Sequence, residues 1–257
     1  MILNWMTTRD TKAALSRLVY TRQETGQKNF MELSLRMRAI ATFAKEADIV
    51  ADIGCDHGFV TAALIEDYGA KQVIACDISE KSLQKAKKLV WEHNLVQSVD
   101  FYVADGLSAL TDKSPDCVII TGMGGLLIRD ILERDIKTAK RAQKLVLAPQ
   151  GNEYELRTFL YENGFMIYDE AIVYDEGKYY QVIAAREGRG ICPEEIYLRY
   201  GYYPAKRGER LQKEFLQRKL LETEMIMEKA HRGKNTDSYI KEKQELHRKI
   251  QEVLRCL

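Results

Sequence analysis

Four short polar or glycine-rich segments, each placed directly after an apolar run, hold the residues best suited to chemistry. The first is Asp52-Ile53-Gly54-Cys55-Asp56-His57-Gly58, where glycines let the backbone approach a ligand and the start of a following helix offers free N–H donors. The second ends in Asp77-Ile78, 23 residues beyond Gly54, the place from which an acid accepts both hydroxyls of a ribose. Ala104-Asp105-Gly106 is suited to reading an adenine amine, and Gly122-Met123-Gly124-Gly125 is too bare for ordinary core packing. Singly, each has a plain structural alternative: a turn, or for Asp77 a cap on the helix beginning near Ser79. Four of them on four successive run ends point to a nucleoside cofactor. NAD(P) and S-adenosylmethionine are the candidates. The dinucleotide fingerprint G-x-G-x-x-G needs glycine where this chain has Asp56. A carboxylate there repels a pyrophosphate and attracts the ammonium of a methionine moiety, which favours the methyl donor.

The elements that must carry these segments follow from periodicity. Residues 49–54, 72–77, 99–105, 117–121 and 144–148 are short apolar runs bounded by Gly, Asp or Pro, the pattern of buried strands. Helical stretches at 58–68, 80–93, 125–140 and 152–163 lie between and after them, with Ser79 heading the second and Gly69 and Gly164 just past two others. Strand alternating with helix predicts an α/β fold with a parallel sheet covered on both faces. The runs 165–174 and 179–185, joined at Asp175-Glu176-Gly177, predict an antiparallel hairpin closing one edge. Beyond 190 come long charged helices, 209–230 and 237–255, broken at Arg232-Gly233-Lys234-Asn235. Leu246, Ile250, Val253 and Leu257 form a stripe on the second, as in a helical hairpin or short coiled coil; an ordinary amphipathic pair packed on the core is the alternative. A stripe of Leu33, Met37, Ile40 and Ala44 marks a helix starting near Met31. The expected organisation is an extension at 1–30, a catalytic domain at 31–190 and a helical appendage at 191–257.

Composition is that of an ordinary globular protein, with 46% hydrophobic and 30% charged residues, and excludes disorder and collagen-like repeats. No run approaches the ~18 apolar residues of a membrane helix, and MILNWMTTRDTK fails as a secretory signal, so a cytoplasmic protein is expected. Five scattered cysteines without a CxxC pair predict free thiols. The formal net charge of +1 conceals a split: residues 1–30 carry +3, 31–190 carry −6 and 191–257 carry +4. A basic appendage on an acidic body suggests a grip on a polyanion through Lys206, Arg207, Arg210, Lys213, Arg218 and Lys219; a solvated helix surface is the alternative.

Leu33-Ser34-Leu35-Arg36-Met37, then DIGCDHG, Asp105-Gly106-Leu107, GMGG, LAPQ with Leu156-Arg157, and Tyr180 in the last hairpin strand resemble the bacterial tRNA (adenine-N1)-methyltransferase family acting on adenine at tRNA position 22. The resemblance covers about 31–190, and the family also carries a helical appendage. It implies a class I methyltransferase Rossmann-like fold, S-adenosylmethionine as donor, tRNA as partner and adenine N1 as acceptor. Action on another RNA or a small molecule is the alternative. The candidate donor-binding residues are Arg36, Asp52, Gly54, Cys55, Asp56, His57, Gly58, Asp77, Ile78, Asp105, Gly106 and Gly122. Gly122, Met123, Gly124 and His57 are the candidate catalytic residues, with Met123 as an apolar wall for the base or, alternatively, core filler. Arg36 pairs with the donor's carboxylate or stays an exposed helix arginine, and Arg157 likewise serves the site or only caps its helix. His93, His231 and His247 face solvent, Trp5 and Trp91 pack, no metal is expected, and a monomer is favoured.

Overall fold

The computed structural model describes residues 32–232 and 237–257. The expected extension at 1–30, Trp5 within it, Met31 and most of the break at 232–235 lie outside the described residues, as does the side chain of His231.

A short helix, α1 (Leu35–Phe43), begins at Ser34, whose hydroxyl accepts from the Met37 N–H. It buries Ile40 and Ala44, two members of the expected stripe. Then strand and helix alternate: β1 (Ile49–Ile53), α2 (Phe59–Glu66), β2 (Gln72–Asp77), α3 (Glu80–Glu92), β3 (Val99–Val103) and β4 (Cys117–Thr121). The expected single helix 125–140 is two, α4 (Gly125–Arg134) and α5 (Ile136–Arg141), because Asp135 leaves helical geometry at φ −113°, ψ 36°. β5 (Lys144–Ala148) and α6 (Glu153–Glu162) precede the long hairpin of β6 (Phe165–Asp175) and β7 (Lys178–Glu187). Its two-residue turn uses Glu176 and Gly177, both at positive φ, as a right-twisted hairpin requires.

The seven strands run in the order β3-β2-β1-β4-β5-β7-β6, with only β7 antiparallel to its neighbours. The apolar strand runs are uninterrupted because both faces are covered. Alternate residues of β4 divide between two cores: Val118 and Ile120 join the side roofed by α4 to α6, and Cys117 and Ile119 the side roofed by α1 and α2. The order reverses between β1 and β4, which opens a crevice at their carboxyl ends.

After β7 come α7 (Glu195–Tyr200), α8 (Tyr203–Lys206) and the helical hairpin α9 (Arg210–Arg232) and α10 (Asp237–Cys256). Ile250 and Val253 of the expected stripe meet Leu216 of α9 and Ile196 of α7 in a small core of their own. Arg157 ties this module to the sheet and does not cap its helix. Fully buried, it donates to Glu170 Oε1 (2.7 Å), Gln181 Oε1 (2.8 Å) and the Leu198 carbonyl (3.0 Å), joining α6, β6, β7 and α7. Two expectations for side chains are corrected. Trp91 is 70% exposed and so does not pack; His93 and His247 are partly buried, bonded to Glu66 (2.9 Å) and Thr223 (3.1 Å). Among the described residues no helix is long and apolar enough to cross a membrane.

Candidate active site

A small open cleft of about 110 Å³ lies at the switch point, where the segments after β1 and β4 meet the start of α1. Arg36, Asp52, Gly54, Asp56, His57 and Gly122 line it. The loop after β1 is folded back by Gly54 and Cys55, whose N–H groups both donate to the Cys76 carbonyl (2.8 and 3.0 Å). Gly54 and Gly58 stand at φ +77° and +79°. That left-handed backbone disfavours a side chain at both, and a Cβ on Gly58 would also lie 2.9 Å from the Ala86 side chain, whereas one on Gly54 would meet Met123 Cε, the flexible end of its side chain, at 2.4 Å. Both glycines therefore allow close approach, of Met123 in one case and of α3 in the other.

Asp77, at the end of β2, holds this loop. Its Oδ2 accepts from the Asp56 N–H (3.1 Å) and its Oδ1 from the Ser79 N–H (2.8 Å); the cap of α3 is Ser79, whose hydroxyl accepts from the Ser82 N–H, and not Asp77. Each oxygen retains a lone pair for a hydroxyl donor. Ile78, just past β2, and Val103, paired with Asp77 at the end of β3, are apolar side chains 74% and 56% exposed. Asp52 is buried, accepts from the Thr61 hydroxyl (2.7 Å), and has its carboxyl raised from 3.8 to about 6. Loss of solvation is the main cause; the Thr61 hydrogen bond acts against it and the Asp77 charge adds to it. Arg36 enters the cleft from α1, its guanidinium over the Tyr180 ring at 4.7 Å and its backbone N–H on Asp175 Oδ2 (3.1 Å). These features fit a nucleoside with an amino-acid tail: hydroxyl acceptors, an apolar base platform, a buried acid for an ammonium and a cation for a carboxylate.

Three of the expected site residues also have structural contacts of their own, and a fourth stands at the edge. Asp105 gives its carboxylate to Arg134 (2.8 Å), which holds it below the usual range, and Gly106 is a packing position where a Cβ would meet Arg134 and Ile131 at 2.6 and 2.9 Å. Cys55 contributes backbone; its thiol is buried against Ala75 and Leu83 and held protonated by burial. His57 lies at the rim, 3.2 Å from Lys85 Nζ and stacked near Phe59.

The loop after β4 forms the opposite wall. Gln150, in the segment after β5, donates its N–H to the Met123 carbonyl (2.8 Å), and the Gly125 N–H donates to the Gly151 carbonyl (2.9 Å). A Cβ on Gly125 would lie 2.5 Å from the Asn152 carbonyl oxygen, whereas one on Gly124 meets nothing within 4 Å. Gly125 therefore serves the contact between two loops, and Gly124 borders open space. Met123 is half-buried against the core, as the core-filler reading expects, and its methyl group lies over Gly54. Sequence reasoning missed Gln150, although the LAPQ segment flagged its place, and Thr61, whose hydroxyl had no sequence signal beyond its position on the following helix.

The model of the methyltransferase domain family matches residues 33–183. The tRNA (adenine(22)-N(1))-methyltransferase of Bacillus subtilis (strain 168) is 30% identical over 160 residues, which cover 62% of this chain and 67% of that protein. Among solved structures, the B. subtilis M1A22 tRNA methyltransferase superposes with a TM-score of 0.78 at 26% identity, covering 87% of this chain and 99% of that one. Streptococcus pneumoniae Sp1610 in complex with S-adenosyl-L-methionine gives 0.77 at 28% identity, covering 86% and 99%. With its seven-stranded sheet, switch-point cleft and glycine loops after the first and fourth strands, the chain belongs to the methyltransferase domain family and, within it, to the bacterial tRNA (adenine(22)-N(1))-methyltransferases.

Proposed function

We propose that this protein transfers a methyl group from S-adenosylmethionine to N1 of adenine 22 in tRNA, working in the cytoplasm. The observation that carries the reading is the pairing of two walls at the switch point. One has the acids and glycines that suit a nucleoside amino acid, Asp52, Gly54 and Asp77. The other is a rigid bare loop, Gly122-Met123-Gly124, bordering open space. The relatives' names and the donor-bound relative support the same assignment.

The donor supplies an electrophilic sulfonium methyl. Adenine N1 already bears a lone pair, so the new N–C bond forms as the C–S bond breaks and no proton leaves. The chain needs no general base; its task is alignment and exclusion of water. Asp77 receives the ribose hydroxyls, Ile78 and Val103 bear the donor's base, Asp52 faces its ammonium and Arg36 its carboxylate. Gly122, Met123 and Gly124 shape the slot for the acceptor base, with Gly124 leaving room for a ring. In folded tRNA that base is first unstacked, at a cost of a few kcal/mol met by contacts elsewhere on the RNA.

The test is methylation of unmodified tRNA transcripts with labelled donor, followed by mass spectrometry of nucleosides. N1-methyladenosine is expected from a tRNA with adenine at position 22 and not from the same tRNA with guanine there. Label on another nucleotide, or on small molecules alone, would replace this reading with the alternative acceptor.

A further inference from the structure

Several cations of the basic appendage are already held by carboxylates, although Lys213 is exposed and makes no ion pair among the described residues. Arg207 is drawn into an acidic nest, bonded to Asp169 Oδ1 (2.6 Å), Glu209 (2.5 Å) and the Glu170 carbonyl (2.6 Å). Arg210 pairs with Glu214, Arg218 and Lys219 with Glu222, and Arg248 with both Glu245 and Glu252. A phosphate landing there competes with carboxylates already in place.

Helix α3 is built differently. Its inward residues are Leu83, Ala86 and Val90, and its outward side carries Lys81, Gln84, Lys85 and Lys88, with Trp91 at the end. Lys81, Lys85 and Lys88 follow i, i+4, i+7 spacing, so they form one row; from Lys81 to Trp91 the row runs ~15 Å at 1.5 Å per residue. Two acids share the helix: Glu80 lies 3.5 Å from Lys87, and Glu92 3.8 Å from Lys88, a loose exposed pair. Lys81 makes no ion pair among the described residues, and Lys85 turns toward the cleft, 3.2 Å from His57 Nε2. On the cleft side, Asp56 lies 3.7 Å from His57. Trp91 is 70% exposed among the described residues, a largely open apolar plane. The helix starts beside Asp77 at the cleft and leads away from it, on a segment of the chain, 31–190, whose net charge is −6.

We propose that this face of α3 docks the sugar–phosphate backbone of the tRNA, its lysines on successive phosphates and Trp91 against an unstacked base. The inference rests on the proposed function and specifies the surface that delivers the substrate. Lysines in a row next to the cleft supply the attraction that an acidic body lacks, and an aromatic at the far end adds a sequence-tolerant contact.

The experiment measures binding of unmodified tRNA to the full chain across a salt series. Lys81→Ala/Lys88→Ala, and then the triple with Lys85→Ala, should lower the slope of log affinity against log salt by ~0.7–0.9 for each phosphate no longer engaged. Trp91→Ala should weaken binding at every salt concentration with its slope unchanged, because stacking releases no counterions. Calorimetry on the Lys81→Ala/Lys88→Ala variant should give the wild-type donor affinity, which separates RNA docking from a misfolded domain. Wild-type slopes in the α3 variants, or a reduced slope in Arg218→Ala/Lys219→Ala/Arg248→Ala instead, would overturn the inference while wild-type methylation upheld the proposed function. A wild-type protein that left tRNA unmethylated would remove both.

Discussion

Replacing Asp52 with Asn separates what the buried acid costs the fold from what it gives the donor. In the donor-free protein its carboxyl titrates at about 6 against an ordinary 3.8. At 1.36 kcal/mol per pH unit, ionising it inside the fold costs ~3 kcal/mol relative to the unfolded chain. The folded state holds the extra proton between about 4 and 6, so the donor-free protein loses stability as pH rises through that window. Asn keeps an oxygen for the Thr61 hydroxyl and carries no charge. Near pH 7 the variant should therefore be more stable, by up to ~3 kcal/mol, in urea unfolding. The donor's ammonium reverses the preference by favouring the carboxylate. Donor binding should then release a proton from Asp52 below about pH 6 and tighten with rising pH, by at most tenfold per unit, levelling off above 6. Calorimetry with S-adenosylhomocysteine, which keeps the amino-acid tail, reads both affinity and proton release when repeated in buffers of different ionisation enthalpy. Asp52→Asn should bind ~10–100-fold more weakly near neutral pH and lose this pH dependence, on the scale of a buried charged hydrogen bond. Wild-type affinity that stays flat from pH 5 to 7, or an Asn variant that binds as tightly as wild type, would show that the ammonium lies elsewhere.

Three further sets of substitutions test the walls and the join. Gly125→Ala should distort the loop pair, since its Cβ would lie 2.5 Å from the Asn152 carbonyl oxygen, and should lower the melting temperature; Gly124→Val, facing open space, should keep stability and donor affinity but abolish methyl transfer. Asp77→Ala should weaken donor binding by ~1.5–3 kcal/mol for each ribose hydroxyl left without its acceptor and also loosen the loop held through the Asp56 N–H, whereas Asp77→Asn, retaining one acceptor oxygen, should be milder by calorimetry. Arg157→Met leaves the buried Glu170 carboxylate without its guanidinium and should cost ~3–5 kcal/mol in urea unfolding, while an effect below ~1 kcal/mol would mean the network is incidental.

What is legible in the sequence depends on whether a residue's task is set locally or by a distant partner. The strands are plain because burial on both faces removes polar interruption, so runs such as 117–121 stand out without alternation. The sheet's antiparallel edge is also plain, because Glu176-Gly177 leaves room only for a tight hairpin turn. The break at Asp135 is not, since no Gly or Pro marks the point where its backbone leaves helical geometry between α4 and α5. At the site, position along the fold is readable while function is not always. GMGG reads as too bare for a core, yet its adjacent identical glycines do opposite things: Gly125 is glycine because a carbonyl crosses it, and Gly124 borders open space.

Charge is the least legible property, because composition counts cations without their partners. Residues 191–257 sum to +4, and the sum suggests an RNA handle. In the fold, Arg207 is drawn inward by Asp169 and Glu209, and arginines of α9 and α10 sit one helical turn from glutamates that neutralise them. Arg157 shows the same limit in another form: within its own helix it resembles an ordinary polar position, and only Glu170, Gln181 and the Leu198 carbonyl, 13 to 41 residues away, make it the join between sheet and appendage. The lysines of α3 show the opposite error. They lie in a segment of net charge −6, a sum that hides them although the acids responsible for it are mostly elsewhere. What a polyanion meets is the local row and not the regional total, since at physiological ionic strength the field of an exposed charge is screened within ~8 Å. A patch of three lysines beside the cleft can thus bind RNA on a domain whose overall charge would repel it.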